Sequence, residues 1–164
     1  MNRRRYQAVY RWFTARPRAL AALRTADKLL ALLVYAAYPL LLLWLALHRN
    51  HRLLRAVLVP AAVFVAGTVL RAALNRPRPT VGLGLPSLLK KEKQGESFPS
   101  LHVLSAAVIT AVFFYAAPPL GPVLAVITLL IALVRVIGGV HFVKDVTAGA
   151  LLGGALGWLG CFVI

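Results

Sequence analysis

The sequence predicts an all-α integral membrane protein, a bundle of about five transmembrane helices preceded by a basic amphipathic helix. Hydrophobic residues make up 60% of the 164 residues and charged residues 14%, with a mean hydropathy of +0.79. Soluble domains average about 45–50% and about 25%. This composition excludes an ordinary soluble domain and a disordered chain. The single cysteine, Cys161, excludes an internal disulfide and a cysteine-based zinc site.

Four stretches without formal charge predict the membrane spans: residues 29–47, 56–70, 101–134 and 146–164. The third is too long for one crossing of a hydrocarbon core of about 30 Å. The prolines within 117–122 divide it in two, because proline removes a backbone donor and clashes with the preceding turn. All five spans are expected to be helical, since a backbone in lipid must satisfy its own hydrogen bonds.

The segment before the first span has a different character. Residues 1–28 carry eight basic side chains and one acid, Asp27, interspersed with aromatic residues and leucines. Arginines interrupt the apolar run that a signal peptide requires, so the pattern favours a basic helix lying in the membrane interface. A solvated basic tail is the alternative. The net charge of +15 points to anionic lipid head groups or phosphate-bearing substrates rather than nucleic acid. We therefore divide the chain into an interfacial segment, 1–28, and one transmembrane domain, 29–164.

Polar residues that flank membrane spans are costly, so their positions are informative. Three clusters stand out, and a long connection, residues 75–98 with the charged run 90–93, joins the first two. Counting crossings places all three clusters on one side of the membrane, together with the N-terminus. The clusters are Arg71 with Arg78-Pro79, Pro99-Ser100-Leu101-His102, and Arg135 with His141 and Asp145.

These residue types together suit phosphoryl transfer. Three arginines supply cationic forks for phosphate oxygens, and the backbone N–H groups of Ser100 and Leu101 lie at a helix start, which favours an anion. His141 and Asp145 are four residues apart and share a helix face. The carboxylate can then hold one imidazole nitrogen while the other attacks, and His102 can act as a general acid.

Each feature has a simpler explanation when taken alone. The arginines could flank a span, and Ser100 could only cap a helix. His141 and Asp145 could be metal ligands, but a zinc or magnesium site needs more ligands than this region offers, and the arginines would repel a cation. The combination therefore favours a site without metal or cofactor.

The three clusters resemble the signature of the type 2 phosphatidic acid phosphatase superfamily, membrane histidine phosphatases related to vanadium haloperoxidases. That signature is Lys-x6-Arg-Pro, Pro-Ser-Gly-His and Ser-Arg-x5-His-x3-Asp. The chain has RAALNRPRP, PSLH and VRVIGGVHFVKD with matching spacings, over about residues 53–164. Arg71, Leu101 and Val134 replace the family Lys, Gly and Ser. Members usually have six spans, so the resemblance implies that the family's first span is missing.

The resemblance also implies roles for the residues. His141 would be the nucleophile that forms a phosphohistidine, Asp145 would orient it, and His102 would protonate the leaving group. The other predicted site residues would bind phosphate: Arg71, Arg78, Ser100, Leu101 and Arg135.

We therefore expect domain 29–164 to be a lipid phosphatase in the cell membrane, with residues 75–98 as its active-site loop. Its substrate would be a polyprenyl phosphate or diphosphate, or a phospholipid phosphate such as phosphatidic acid or phosphatidylglycerol phosphate. The alternatives are a membrane protein that binds or transports phosphate or another anion, and a degenerate non-catalytic relative. The motif side carries sixteen Lys and Arg residues and the opposite side carries three. This excess of positive charge predicts a cytoplasm-facing site. Glycines at 149, 153 and 157 predict close helix packing, within the chain or across a dimer.

Overall fold

Every regular element in the described part of the chain is helical, which confirms the predicted fold class. The structure, a computed structural model, describes residues 3–84, 86–90 and 94–164. Lys91, Glu92 and Lys93 of the charged run lie outside the described residues. The helices are α1 (Arg3–Thr14), α2 (Pro17–Leu47), α3 (Leu53–Leu74), α4 (Pro79–Leu83), α5 (Leu101–Ala116), α6 (Gly121–Ile137) and α7 (Val143–Trp158). A 3-10 turn, Pro118–Leu120, precedes α6, and a π-helical turn, Leu159–Val163, follows α7.

Four helical stretches are long and apolar enough to cross a membrane: Pro17–Leu47, Leu53–Gly82, Pro118–Ile137 and Val143–Val163. The remaining predicted span, the third along the chain, is the shorter helix α5, which has 16 residues and is about 24 Å long. Most of its residues are buried, and it packs against α3, α6 and α7. The chain is thus a multi-pass membrane protein built around α5.

Helix α2 begins at Pro17, twelve residues before the predicted start of the first span. The arginines and Asp27 end the apolar run there, but alanine and leucine continue to favour helix, and proline suits a first helical turn. The 31 residues of α2 span about 46 Å, longer than a hydrocarbon core of about 30 Å. The N-terminal part of α2 therefore extends beyond the core.

The N-terminal segment folds back onto the end of the bundle that carries the three motif clusters. Tyr6 on α1 is fully buried, and its hydroxyl donates to the carbonyl oxygen of Pro86 at 3.1 Å. Burial raises the pKa of Tyr6 to about 12. Arg24 Nε donates to the Leu88 carbonyl oxygen at 2.8 Å. An apolar cluster of Leu23, Leu88, Leu89 and Val140 completes the contact.

The glycine stripe of α7 packs against α5 within the chain. A Cβ atom on Gly149 would lie 2.7 Å from the carbonyl oxygen of Ser100, and one on Gly157 would lie 2.8 Å from Ala111 Cβ. Gly153 faces the carbonyl oxygen of Leu104 in the same way. The intrachain alternative thus accounts for the stripe, because the two backbones approach each other too closely for side chains.

We predict that Gly153→Ala lowers the thermal stability of the purified protein in detergent. The added methyl would meet the α5 backbone, and overpacking of this kind costs about 1–3 kcal/mol. Gly154→Ala is the matched control, since a Cβ there meets nothing within 4 Å and alanine favours helix over glycine. Equal melting temperatures for the two variants would contradict the α5–α7 packing.

Candidate active site

The three motif clusters meet at one end of the bundle. Arg71 lies in the last turn of α3, Arg78 immediately precedes α4, and Ser100 immediately precedes α5. Arg135 lies in the last turn of α6, and His141 follows it in the turn before α7. The side chains are less than a tenth exposed, as is Asp145 in the first turn of α7. The structure therefore gathers the residues that the sequence grouped by spacing and side.

His141 faces Asp145 through Nδ1. Its Nδ1 lies 3.8 Å from Asp145 Oδ2, which is an electrostatic contact longer than a hydrogen bond. The same carboxylate oxygen accepts a hydrogen bond from the backbone N–H of Phe142 at 2.9 Å. With Nδ1 turned toward Asp145, Nε2 is the ring nitrogen that faces away from the carboxylate.

Ser97 bridges the His141–Asp145 pair and was missed by the sequence analysis. Its hydroxyl donates to Asp145 Oδ2 at 2.6 Å, and its Oγ lies 3.5 Å from His141 Nδ1. Ser97 is fully buried. No spacing rule marks it, since it belongs to the loop 75–98 and precedes the second cluster by only two residues. The Ser97 hydroxyl thus contacts both His141 Nδ1 and Asp145 Oδ2, which are 3.8 Å apart.

Ser100 would contact an anion through its hydroxyl and not, as the sequence predicted, through its backbone N–H. Its backbone N–H donates to the carbonyl oxygen of Asp145 at 3.0 Å, so that N–H is already used. Its hydroxyl is buried and has no hydrogen-bond partner within the described ranges. The N–H of Leu101 lies in the first turn of α5, where amides lack intrahelical partners. Ser100 would thus contact an anion through Oγ, and Leu101 through its amide.

The three arginines are held by groups from other elements. Arg78 Nε donates to the Gly95 carbonyl oxygen at 3.1 Å. Arg71 Nε lies 3.8 Å from a carboxylate oxygen of Glu96. Arg135 Nε lies 3.0 Å from Asp27 Oδ1, an ion pair without aligned hydrogen-bond geometry. Both acids were absent from the predicted site.

A cavity of about 620 Å³ leads to this cluster between α2, α3 and α5. Its apolar lining includes Val57, Phe64 and Ile109, and its polar end has Arg71 and His102. The His102 ring lies 6.4 Å from that of Tyr35, centre to centre. His102 is therefore placed where an apolar groove meets the buried cations. In the residues that the structure describes, no group of three metal-ligating side chains is present.

Residues 52–163 match the PAP2 superfamily, over more than half of the chain. The chain belongs to this superfamily. Among solved structures it is similar to Aquifex aeolicus LpxE, with 28% identity and a TM-score of 0.72 over 85% of each chain.

The fold is also similar to that of a PAP2-type phosphatidylglycerolphosphate phosphatase from Bacillus subtilis. The identity is 23% and the TM-score 0.55, over 94% of this chain and 93% of that one. No curated protein matches the sequence. The PAP2 assignment confirms the resemblance that the three motifs predicted.

We predict that stability falls as the pH decreases below about 6.5 and that His141 causes part of this loss. Burial lowers the pKa of His141 below its usual value; the Asp145 carboxylate opposes the shift, and the Arg78 charge adds to it. The unfolded chain then binds a proton that the folded protein does not, at up to about 1.4 kcal/mol per pH unit. Below the folded-state pKa both states are protonated and this contribution stops changing.

Thermal unfolding between pH 7.5 and pH 5 tests this. His141→Gln should lose less stability across this range than wild type, while the control His51→Gln, at an exposed position, should follow wild type. An unchanged pH dependence in His141→Gln would refute the prediction.

Proposed function

We propose that this member of the superfamily is a lipid phosphatase that hydrolyses a phosphate monoester or diphosphate on a membrane lipid. The apolar cavity that ends at Arg71 and His102 carries the proposal. An alkyl chain lying in this cavity would bring its head group to three buried arginines. Buried cations gain most from an anion, because the surrounding dielectric is low.

The geometry supports a covalent mechanism. His141 Nε2 attacks phosphorus, the N–P bond forms, and the bond from phosphorus to the leaving oxygen breaks. His102 donates a proton to that oxygen. Water then attacks the phosphorus of the phosphohistidine and gives a proton to His102. The N–P bond breaks, phosphate leaves, and both histidines return to their starting states. Throughout, Nδ1 keeps its proton toward Ser97 and Asp145, which supports the positive charge that develops on the ring.

Charge neutralisation in this mechanism comes from the protein. Arg71, Arg78 and Arg135 would hold the phosphoryl oxygens, with Ser100 Oγ and the Leu101 amide completing the cradle. Three atoms of these groups, Arg71 Nε, Ser100 Oγ and Arg135 Nε, are buried without a hydrogen-bond partner in the described part of the chain. Arg135 Nε faces the Asp27 carboxylate. Since buried polar groups are normally satisfied, Arg71 Nε and Ser100 Oγ are suited to contact the oxygens of an anion. We therefore propose turnover without a metal or cofactor.

Phosphate release from a panel of lipid phosphates in detergent micelles tests the function. The panel contains phosphatidic acid, phosphatidylglycerol phosphate and a polyprenyl diphosphate, which separates the substrate classes. Release should persist in excess EDTA and be lost in His141→Ala. Release that requires added magnesium or zinc would overturn the metal-free proposal, and release equal in His141→Ala would overturn the site.

We predict that an activated leaving group distinguishes the two histidines. A good leaving group needs no proton, so such a substrate should restore part of the activity of His102→Ala. His141→Ala lacks the nucleophile and should remain inactive with either substrate. The measurement is kcat for each variant with a lipid phosphate and with an aryl phosphate of low leaving-group pKa. Equal rescue of both variants would show that the roles are assigned wrongly.

We propose that the active site faces the cytoplasm of a cell membrane. Tyr6 and Arg24 contact the active-site loop, so the N-terminal segment and its basic residues lie at the motif end. By the order of the spans in the sequence, sixteen Lys and Arg residues belong to this side and three, Arg49, Arg52 and Arg55, to the other. Positive charge is retained on the cytoplasmic side. Residues 1–28 would then form an interfacial segment on anionic head groups, docked on the phosphatase domain 29–164.

Cysteine labelling in intact cells checks this topology. In a Cys161→Ser background, a membrane-impermeant maleimide should label His51→Cys and spare Gln94→Cys. Both positions are exposed in the structure, and labelling both after the cells are permeabilised is the control. The reverse pattern would place the active site on the outer face.

A further inference from the structure

Acidic residues are few in this chain, and those that the structure describes are concentrated at one place. The sequence has four acids against nineteen Lys and Arg. The three acids that the structure describes, Asp27, Glu96 and Asp145, each contact a site residue. Only three of the nineteen Lys and Arg residues, Arg71, Arg78 and Arg135, belong to the proposed site, so these contacts fall on a small part of the basic residues. Each acid therefore calls for an explanation in terms of the site.

Asp27 forms the shortest of these contacts. Its Oδ1 lies 3.0 Å from Arg135 Nε, and the two side chains are 10% and 2% exposed. A guanidinium that is taken out of water this completely requires an anionic or well-aligned polar partner. Asp27 is thus a counterion that Arg135 keeps when no anion is bound.

The position of Asp27 is fixed by its own helix. Leu23 and Arg24 precede it by four and three residues, so the three share a face of α2. Leu23 packs in the cluster with Leu88, Leu89 and Val140, and Arg24 binds the Leu88 carbonyl oxygen. These contacts hold this part of α2 against the turn that leads to His141. The carboxylate is therefore a rigid reference point for Arg135.

We propose that Asp27 is a positioning residue for Arg135 in the phosphatase reaction. This rests on the function proposed above. Asp27 lies outside residues 52–163, the part of the chain that matches the superfamily, so the N-terminal segment contributes to the site. Asp27 engages Arg135 through Nε, which leaves the two terminal amino groups of the fork to be aimed at phosphoryl oxygens.

The carboxylate must act through Arg135 rather than on the substrate. Asp27 and the phosphoryl group are both anions, and direct contact would be repulsive. Placed on the Nε side, Asp27 holds the guanidinium by charge attraction and keeps its own charge behind the arginine. Loss of Asp27 should therefore weaken the binding of the phosphoryl group more than it changes the chemical step.

Kinetics of Asp27→Ala and Asp27→Asn in detergent micelles test the proposal. A hydrogen bond from Arg135 to a phosphoryl oxygen would involve charged groups, and the loss of such a bond costs roughly tenfold or more in affinity. We expect KM and the inhibition constant for orthovanadate, a phosphate analogue, to rise about tenfold in Asp27→Ala, with a smaller change in kcat. Asp27→Asn keeps the shape and an acceptor oxygen, so its constants should fall between those of Asp27→Ala and wild type. Lys28→Ala, the neighbouring exposed charge on α2, is the control and should match wild type.

A purely structural role would give a different result. Both variants would then lose melting temperature and active fraction, while KM and the orthovanadate constant of the remaining enzyme stayed at wild-type values. That result would overturn the proposal. Tighter orthovanadate binding in the variants would also overturn it, because Asp27 would then be acting as a competing anion.

The shift in melting temperature that orthovanadate causes is measured in parallel, because it does not depend on turnover. If wild type binds orthovanadate but releases no phosphate from any lipid, the phosphatase proposal fails and the binding shifts still test Asp27. If wild type is active and the variants bind orthovanadate equally well, only the Asp27 proposal fails.

Discussion

Burial of charge at one end of an apolar bundle is the constraint on which the rest of this structure depends. Arg71, Arg78, Arg135, His141 and Asp145 are each less than a tenth exposed. Removing such groups from water costs several kcal/mol per ion unless partners compensate. The compensation comes from two acids, from a loop carbonyl and from the Ser97 hydroxyl. The loop and the N-terminal segment are therefore parts of the site, because without them the charges would lack partners.

The apolar packing sets the distances within this charged cluster. Gly149 lets α7 approach so closely that a Cβ would meet the Ser100 carbonyl oxygen. At that distance the Ser100 N–H reaches the carbonyl oxygen of Asp145. The second and third motif clusters are thus joined by a backbone hydrogen bond. Larger side chains between α5 and α7 would break it. Helix packing below the candidate site determines where its polar groups lie.

The fold and the convergence of the motifs could be predicted from the sequence, whereas several partners could not. Hydropathy and the number of crossings are properties of a linear chain, so they placed the motif clusters at one end of five helices. Asp27 and Arg135 are distant in sequence, and Ser97 belongs to no periodic pattern. Only the packing of α2 and of the loop brings them to the site. The start of α2 at Pro17 could not be predicted, because charge ends an apolar run without ending a helix.

The packing around Leu101 and Val134 accommodates two departures from the superfamily motifs. The Leu101 side chain lies against Gly67 of α3, which has no side chain to obstruct it, so its backbone can still begin α5 at the site. Val134 joins the apolar cluster that the N-terminal segment completes around Leu88 and Leu89. A serine there would place a hydroxyl among apolar side chains, which costs free energy unless it finds a hydrogen bond. The residue before Arg135 is therefore apolar, and Arg135 finds its polar partner in the carboxylate of Asp27.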